Sequence, residues 1–440
     1  MNSEGYRGSI PFEPLRLTYE EQERCQELTL QLLDRILRSY DERNAISHGS
    51  PRHHSNLDSA RWKRHKTQAN ASLYSERGHG VQRDLQLPGD NWESPAVLLA
   101  VGTIQGSLED VMLGLVTQTF GEMRVRAASI ASHDVSGATL AKLSGPVEED
   151  PFQNLSVQWM VGEQGWPLNM IVRPRDFVNL VASGVITRAN GDRIGYDLVQ
   201  PAPLPQCSPL PKPMTRGKLM YGALYRDNRD GTVDVYIQLY VETMGHILDT
   251  IVMNAMWIAS LGFWEAPRLA QEKKLQWCIL NRMKNPNSRR HRSTWADIPR
   301  CDICQEKVRK HSRGRHQLPG PTHSCAMCAM VLCSRCRVKR SFKVLTGAKK
   351  GPPTRSVHVV VCPSCLDFAH DLSAVDIAWQ QHQQRLVQSE TDSAASSRLT
   401  WGLLEDVETP SWMPGRQLSM SEYSFSYSDK GDAGSVYSAP

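Results

Sequence analysis

The chain has 440 residues, which is too many for one compact core, so we expect two or three folded units. Its net charge of +5 is too small to indicate a nucleic-acid-binding protein by itself. No run approaches the ~18 apolar residues that a membrane span requires, and the first ten residues lack the apolar core of a signal peptide. We therefore expect a cytoplasmic protein, in which the 11 cysteines are reduced and not paired in disulfides.

Residues 18–41 predict an amphipathic helix near the N-terminus. Thr18 and Glu21 have the spacing of a capping box, in which each side chain accepts a hydrogen bond from the other residue's backbone N–H. Apolar residues follow at every third or fourth position, so one face of this helix should be buried. The interval 45–90 is polar, with few apolar residues, and we expect part of it to be a mobile insertion.

Residues 94–241 alternate between strand and turn signals. The strand candidates are rich in β-branched and aromatic residues, and glycine, proline and asparagine separate them. They are residues 96–106, 155–161, 168–182, 193–200, 217–226 and 232–241. After the first candidate, Ser107 has the position of an N-cap for a short helix with one apolar face.

A long helix is predicted over residues 241–263, with an apolar stripe that includes Ile247, Ile251 and Met256. A helix, a series of strands and a final amphipathic helix are the pattern of an α+β unit, in which an antiparallel sheet curves around a helix. We place this unit at 12–275, a basic linker at 276–294, a cysteine-rich unit at 295–373 and a disordered Ser-rich tail at 389–440.

Eight of the eleven cysteines form four Cys-x-x-Cys pairs. A structural Zn²⁺ takes four ligands in a tetrahedron, so two pairs complete one closed site and eight thiolates make two sites. The second and third pairs are too close in sequence to share one ion easily, which favours an interleaved arrangement. It assigns Cys301, Cys304, Cys333 and Cys336 to one zinc ion, and Cys325, Cys328, Cys362 and Cys365 to the other. The alternative is a set of chance pairs or disulfides.

The four pairs, with Trp295 upstream and the apolar strand of VHVVVCPSC at the last pair, resemble the FYVE-type zinc finger. The resemblance implies a small cross-braced domain that binds phosphatidylinositol 3-phosphate on endosomal membranes through a basic motif around the third cysteine. At the positions of that motif, residues 321–326, only His323 and Cys325 match. Phosphate recognition needs several charge-assisted donors in fixed positions. Two hypotheses therefore stay open, phosphoinositide binding and the docking of a protein partner.

The first 275 residues resemble the START lipid-binding family, most closely at Pro174–Val178, which looks like that family's Pro-Arg-Asp-Phe-Val strand. A START domain followed by a FYVE-type finger resembles proteins of oomycetes. The resemblance implies a helix-grip fold, with a curved antiparallel sheet that holds a long C-terminal helix over an apolar tunnel for a lipid or sterol-like ligand. Some sterol-binding members carry an arginine where this chain has Val181.

The resemblance also gives candidate lipid contacts. Ile247, Ile251 and Met256 would cover the tunnel, and Arg175 is a candidate polar anchor. The alternatives are that the apolar stripe is ordinary core, and that Arg175 or Asp176 forms a structural salt bridge.

The first functional hypothesis is a non-enzymatic lipid-binding protein that associates peripherally with endosomal membranes. The second is a protein-interaction adaptor whose finger has lost phosphoinositide specificity. A RING-type ubiquitin ligase is less favoured, because both ligand positions of the second pair are cysteines, and no GxSxG or phosphate loop indicates an enzyme. Nucleic acid is the least favoured partner, because the basic stretch 273–315 has few aromatic residues for base stacking.

Overall fold

The computed structural model describes residues 10–46, 57–68, 70–77, 92, 95–131, 135–162, 174–242, 249–284, 300–308, 324–346 and 353–396. The helices are α1 (Tyr19–Ile46), α2 (Leu108–Leu115), α3 (Phe120–Ala131), α4 (Asp249–Trp264), α5 (Ala266–Lys284), α6 (Pro363–Asp371) and α7 (Ala374–Ser396). The strands are β1 (Trp62–Gln68), β2 (Ala71–Glu76), β3 (Ala96–Gln105), β4 (Ser136–Ser144), β5 (Asn154–Gly162), β6 (Arg175–Thr187), β7 (Arg193–Pro201), β8 (Thr215–Arg216), β9 (Lys218–Asp227), β10 (Thr232–Glu242), β11 (Val338–Leu345) and β12 (Thr354–Val361). No helix in these ranges is long and apolar enough to cross a membrane.

The larger sheet has ten strands, and its order is β1-β2-β3-β10-β9-β7-β6-β5-β4, with β8 beside β6. All neighbours along that path are antiparallel, and β8 pairs with β6 in parallel. Strands β11 and β12 form a separate antiparallel hairpin. The predicted α+β class, with an antiparallel sheet, helices and a cysteine-rich unit, is confirmed.

Helices cover both faces of the large sheet, because successive side chains of a strand point in opposite directions. Leu99 and Val101 of β3 face α1 and pack in one core with Ile36. Leu98 and Ala100 face the other way and join the core of α2, α4 and α5. Gly222 allows α1 to approach closely, since a Cβ atom there would lie 2.4 Å from Cγ1 of Ile36.

Residues 62–68 and 71–76 of the polar interval 45–90 form β1 and β2, which lie at one edge of the large sheet. The mobile insertion that we expect in part of this interval stays a prediction, because residues 47–56 and 78–91 lie outside the described residues. The predicted helix 241–263 is wrong in extent, since β10 continues to Glu242 and α4 begins at Asp249. A second helix follows at once. Pro267 lies in its first turn, where a missing N–H costs little, which explains the break after Trp264.

The predicted linker and tail also begin later than the sequence suggested. Helix α5 extends to Lys284, well into the interval 276–294, because Cys278 and Ile279 are buried. Helix α7 extends to Ser396, past the expected start of the tail at residue 389. The remainder of both intervals, residues 285–294 and 397–440, lies outside the described residues.

Candidate functional site: a cavity on the sheet and two cysteine clusters

A cavity of about 470 Å³ lies between the large sheet and helices α3 and α4. This volume is within the usual range for small-molecule sites. Most of the lining side chains are apolar, and they include Met123, Ile130, Met160, Val181, Val199, Leu239, Met256 and Phe263. The chain therefore leaves apolar space next to the sheet, whereas the alternative interpretation of the apolar stripe expected a filled core.

Helix α3, which the sequence analysis missed, forms one wall of the cavity. Two hydrogen bonds cap its N-terminus. Glu122 N–H donates to Thr119 Oγ1 (3.2 Å), and Gln118 N–H donates to Glu122 Oε2 (2.8 Å). Met123, Arg126, Ala127 and Ile130 then line the cavity at helical spacing. The Thr-x-x-Glu pattern at 119–122 is the signal that could have revealed this helix.

The lining also contains polar residues, and one cluster of them is charged. Arg126 Nη1 donates to the Leu115 carbonyl oxygen (2.7 Å) and lies 3.8 Å from Asp197 Oδ2. The hydroxyl of Tyr221 donates to the same carboxylate oxygen (3.3 Å). Burial raises the pKa of Asp197, and the charge of Arg126 and the bond from Tyr221 oppose that rise. Both charged groups line the cavity, so they can present a donor and an acceptor to a ligand.

The predicted lipid contacts differ in their positions relative to the cavity. Met256 lines the cavity, and so does Val181, where some sterol binders have an arginine. Arg175, the first residue of β6, is not among the described residues that line the cavity, and its role as a polar anchor stays a prediction. Its neighbour Asp176 is fully buried and accepts from Arg216 Nη2 (2.9 Å), which is the structural salt bridge of the alternative interpretation.

Two further predicted contacts cannot be placed. Ile247 lies outside the described residues. Ile251 belongs to α4, but its side chain is outside the described part of the chain.

The eight paired cysteines form two clusters, with the membership that the interleaved arrangement predicted. Cys301, Cys304, Cys333 and Cys336 form cluster one, and Cys325, Cys328, Cys362 and Cys365 form cluster two. Within each cluster all four sulfur atoms lie within 4.8 Å of one another. His323 lies outside the described residues.

The first pair of ligands in each cluster comes from the same kind of turn. Cys301 N–H donates to the Glu306 carbonyl (2.8 Å), and Cys325 N–H donates to the Met330 carbonyl (2.9 Å). The residue after each knuckle, Gln305 or Ala329, has a φ of 60°, in the left-handed region that favours glycine. Both turns therefore contain a strained, left-handed residue, and both bring two thiols together.

The last pair begins helix α6. Cys362 is its N-cap, and Cys365 lies in its first turn. The preceding hairpin places Cys362 N–H 3.3 Å from the sulfur of Cys325, so the backbone itself orders cluster two. A knuckle, a hairpin and a helix that starts at the last ligand pair form a compact finger.

The geometry of both clusters fits a tetrahedral metal ion. With Zn–S bonds of about 2.3 Å, two sulfurs of a tetrahedral site lie about 3.8 Å apart. The separations are 3.6 Å for Cys304–Cys333 and 3.7 Å for Cys328–Cys362. Burial disfavours the Cys301 thiolate, but backbone N–H groups that point at its sulfur lower its pKa to about 6, whereas the hydrogen bond with the Cys304 thiol and burial raise the pKa of Cys336 to about 12. The sulfur separations of both clusters suit a cation that binds thiolates.

The finger is not a separate body, because it shares a hydrophobic core with α5. Leu275, Cys278 and Ile279 of that helix pack with Phe342 and Val361 of the hairpin. Lys274 is buried between units, since its ammonium lies 2.7 Å from Asp110 Oδ1 of α2 and donates to the His370 carbonyl of α6 (2.9 Å). Sequence reasoning missed this connection because it assigned residues 276–294 to a linker.

No protein-family model matches the chain, and no curated protein matches it. Solved structures that match part of this chain include human StAR-related lipid transfer protein 5, at 14% identity and a TM-score of 0.35, covering 57% of this chain and 98% of that one. Human STARD10 matches at 12% identity and a TM-score of 0.33, covering 50% and 78%. A STAR-related lipid transfer protein fragment from Xanthomonas axonopodis matches at 14% identity and 0.28, covering 48% and 95%.

Proposed function

We propose that this chain is a non-enzymatic lipid-binding protein of the START type, which holds one hydrophobic ligand against its large sheet. The observation that carries the proposal is the apolar cavity of about 470 Å³ with the Arg126–Asp197 pair in its wall. An apolar cavity with few polar groups suits a ligand that is mostly hydrocarbon, since such groups fix orientation while burial supplies affinity.

The polar pair also limits the ligand's head group. Arg126 and Asp197 carry opposite charges, so a neutral ligand leaves the wall balanced, whereas a charged one adds an unpaired buried charge. A hydroxyl group can donate to the carboxylate and accept from the guanidinium at once. A neutral lipid with one hydroxyl, of sterol-like size, is the ligand class that these contacts favour.

The test is a fluorescence titration of the full chain with NBD-labelled cholesterol and with its 3-deoxy analogue. We expect saturable binding of one sterol per chain and weaker binding of the analogue. Val181→Phe, which adds bulk inside the cavity, should abolish binding, whereas Thr187→Phe, at an exposed position of the same strand, should not. Equal binding by both variants would place the probe outside the cavity and contradict the proposal.

For the finger, we propose that each cysteine cluster binds one structural Zn²⁺ and that the hairpin docks on a membrane or protein surface. The fit of the sulfur geometry supports the metal, because thiolate-only tetrahedral sites favour zinc among common cellular divalent ions. Lys339, Arg340 and Arg355 are exposed on the hairpin and supply positive charge toward an anionic surface, such as an endosomal membrane with phosphoinositides.

Elemental analysis and liposome co-sedimentation of the full chain test these two roles. We expect two zinc ions per chain and salt-tolerant binding to vesicles that contain phosphatidylinositol 3-phosphate. Binding that follows only total negative charge, or no binding, would instead favour the adaptor hypothesis, in which the finger docks a protein.

A further inference from the structure

The helix that carries Arg126 is supported from outside by the finger and by α7. Helix α3 packs against both strands of the finger's hairpin. It is also joined to α7 by the ion pair of Glu122 with Arg385. One side of α3 therefore lines the cavity, and another side touches elements that belong to the metal-binding half of the chain.

The ion pair acts close to the cavity's charged group. Glu122 lies one helical turn before Arg126 on α3. Its Oε1 atom pairs with Arg385, while its Oε2 atom accepts from the backbone N–H of Gln118 at the start of the helix (2.8 Å). A single carboxylate thus caps α3 and ties it to α7. Its side chain is 29% exposed and that of Arg385 is 27% exposed, so solvent screens the pair only in part.

The hairpin touches the same turn of α3. A Cβ atom on Gly121 would lie 2.8 Å from Cδ1 of Leu345, so the end of β11 sits directly on the helix backbone. The other end of the hairpin is held by the cysteine clusters. Strand β11 begins two residues after Cys336 of cluster one, and β12 ends next to Cys362 of cluster two. Helix α6, which contains Cys365, leads within three residues to α7 and thus to Arg385.

We propose that the metal-loaded finger positions α3 for ligand binding, with Leu345 and Arg385 as the positioning residues. This inference rests on the proposed function of the cavity. Metal in both clusters fixes the base of the hairpin and the start of α6, and these fix Leu345 and Arg385 against the turn that precedes Arg126. Metal binding and ligand binding then strengthen each other, and by thermodynamic linkage the effect is equal in both directions.

The first test needs no ligand. Hydrogen exchange is measured on the full chain with zinc, comparing wild type with the double variant Leu345→Ala/Arg385→Gln at confirmed equal metal content. We expect exchange in residues 120–131 to accelerate about tenfold or more, while peptides of α1, on the opposite face of the sheet, stay unchanged. Unchanged protection of α3 in the variant would refute the positioning role.

The second test measures whether Arg126 keeps the orientation that binds the ligand's hydroxyl group. With zinc in excess, Arg385→Gln should weaken binding of NBD-labelled cholesterol by about two- to fivefold, as expected for a partly exposed ion pair. Its affinity for the 3-deoxy analogue should stay the same, and Arg385→Lys should restore the difference. Arg64→Gln, at an exposed position of β1, is the matched control. Equal loss for both probes would indicate general destabilisation and overturn the proposal.

Reciprocity gives a third outcome with a different readout. Saturation of the wild-type chain with NBD-labelled cholesterol should slow the release of zinc to a chelator, and this slowing should be smaller in the double variant. An identical release rate with and without sterol would contradict the coupling. A wild-type chain that binds neither probe would refute the cavity's proposed function, and the exchange experiment would still decide whether the finger positions α3.

Discussion

The pair of Arg126 and Asp197 should show strong energetic coupling. Arg126→Met removes a cation that lies 3.8 Å from the carboxylate, and the side chains are 17% and 8% exposed. At an effective dielectric constant of 20, two unit charges at that distance interact by about 4 kcal/mol. Removal of one partner of a buried pair costs about 3–5 kcal/mol, mainly because the other charge stays buried. We expect each of Arg126→Met and Asp197→Asn to lower the free energy of unfolding by about 3 kcal/mol.

The double variant Arg126→Met/Asp197→Asn should lower the free energy of unfolding by about 2 kcal/mol less than the sum of the two single losses, because no unpaired charge remains. The assay is urea unfolding at pH 7 with zinc in excess and no lipid. The exposed pair of Arg268 with Glu265, at 43% and 45% exposure, is the control and should couple by less than about 1 kcal/mol. Losses that add within about 0.5 kcal/mol would show that the two cavity residues do not interact.

Three further predictions concern single positions. Burial raises the pKa of Asp150 from 3.8 to about 6, so the folded state binds the carboxyl proton more tightly than the unfolded chain does. The free energy of unfolding should therefore fall as the pH rises from about 4 to about 6. Asp150→Asn should remove this fall between about pH 4.5 and 6.5. Ala329→Gly should stabilise the finger by about 0.5–1 kcal/mol, because glycine relieves the left-handed turn at the expense of chain entropy. Gly222→Ala should lower the free energy of unfolding by about 1–3 kcal/mol, because its new Cβ atom would collide with Ile36.

Each of these predictions has its own contrary result. A pH dependence that is the same in wild type and Asp150→Asn would show that another group titrates. Thermal unfolding of the finger that responds equally to Ala329→Gly and to Ala326→Gly, within the knuckle, would show no strain at Ala329. A wild-type unfolding midpoint in Gly222→Ala would show that α1 can move away from the sheet.

The parts of the structure that sequence could predict are those that local geometry decides. The intervals between the four Cys-x-x-Cys pairs limit which thiols can share an ion. The membership of the two clusters, such as Cys301, Cys304, Cys333 and Cys336, could therefore be predicted from sequence spacing. The capping box of Thr18 and Glu21 forms as expected, with Thr18 N–H donating to Glu21 Oε2 (2.8 Å), and the predicted N-cap at Ser107 accepts from Asp110 N–H (3.1 Å).

The parts that sequence could not predict depend on packing between distant segments. Arg126 was missed because its role follows from the position of α3 against β7, which no local pattern encodes. Arg175 and Asp176 are adjacent in one strand, and only the fold decides that Asp176 is buried against Arg216. Residues 276–284 were assigned to a linker because the sequence shows their basic side chains. Their burial depends on contact with the finger, which the sequence does not show.

We propose that the cavity holds a neutral, hydroxylated lipid. The most direct test is mass spectrometry of lipids bound to the purified full chain after exposure to liposomes of total cellular lipid, with Val181→Phe as the reference. We expect one lipid with a single hydroxyl group per wild-type chain and none in the variant. A set of bound lipids that is the same for both proteins, or no enrichment of any lipid, would contradict it.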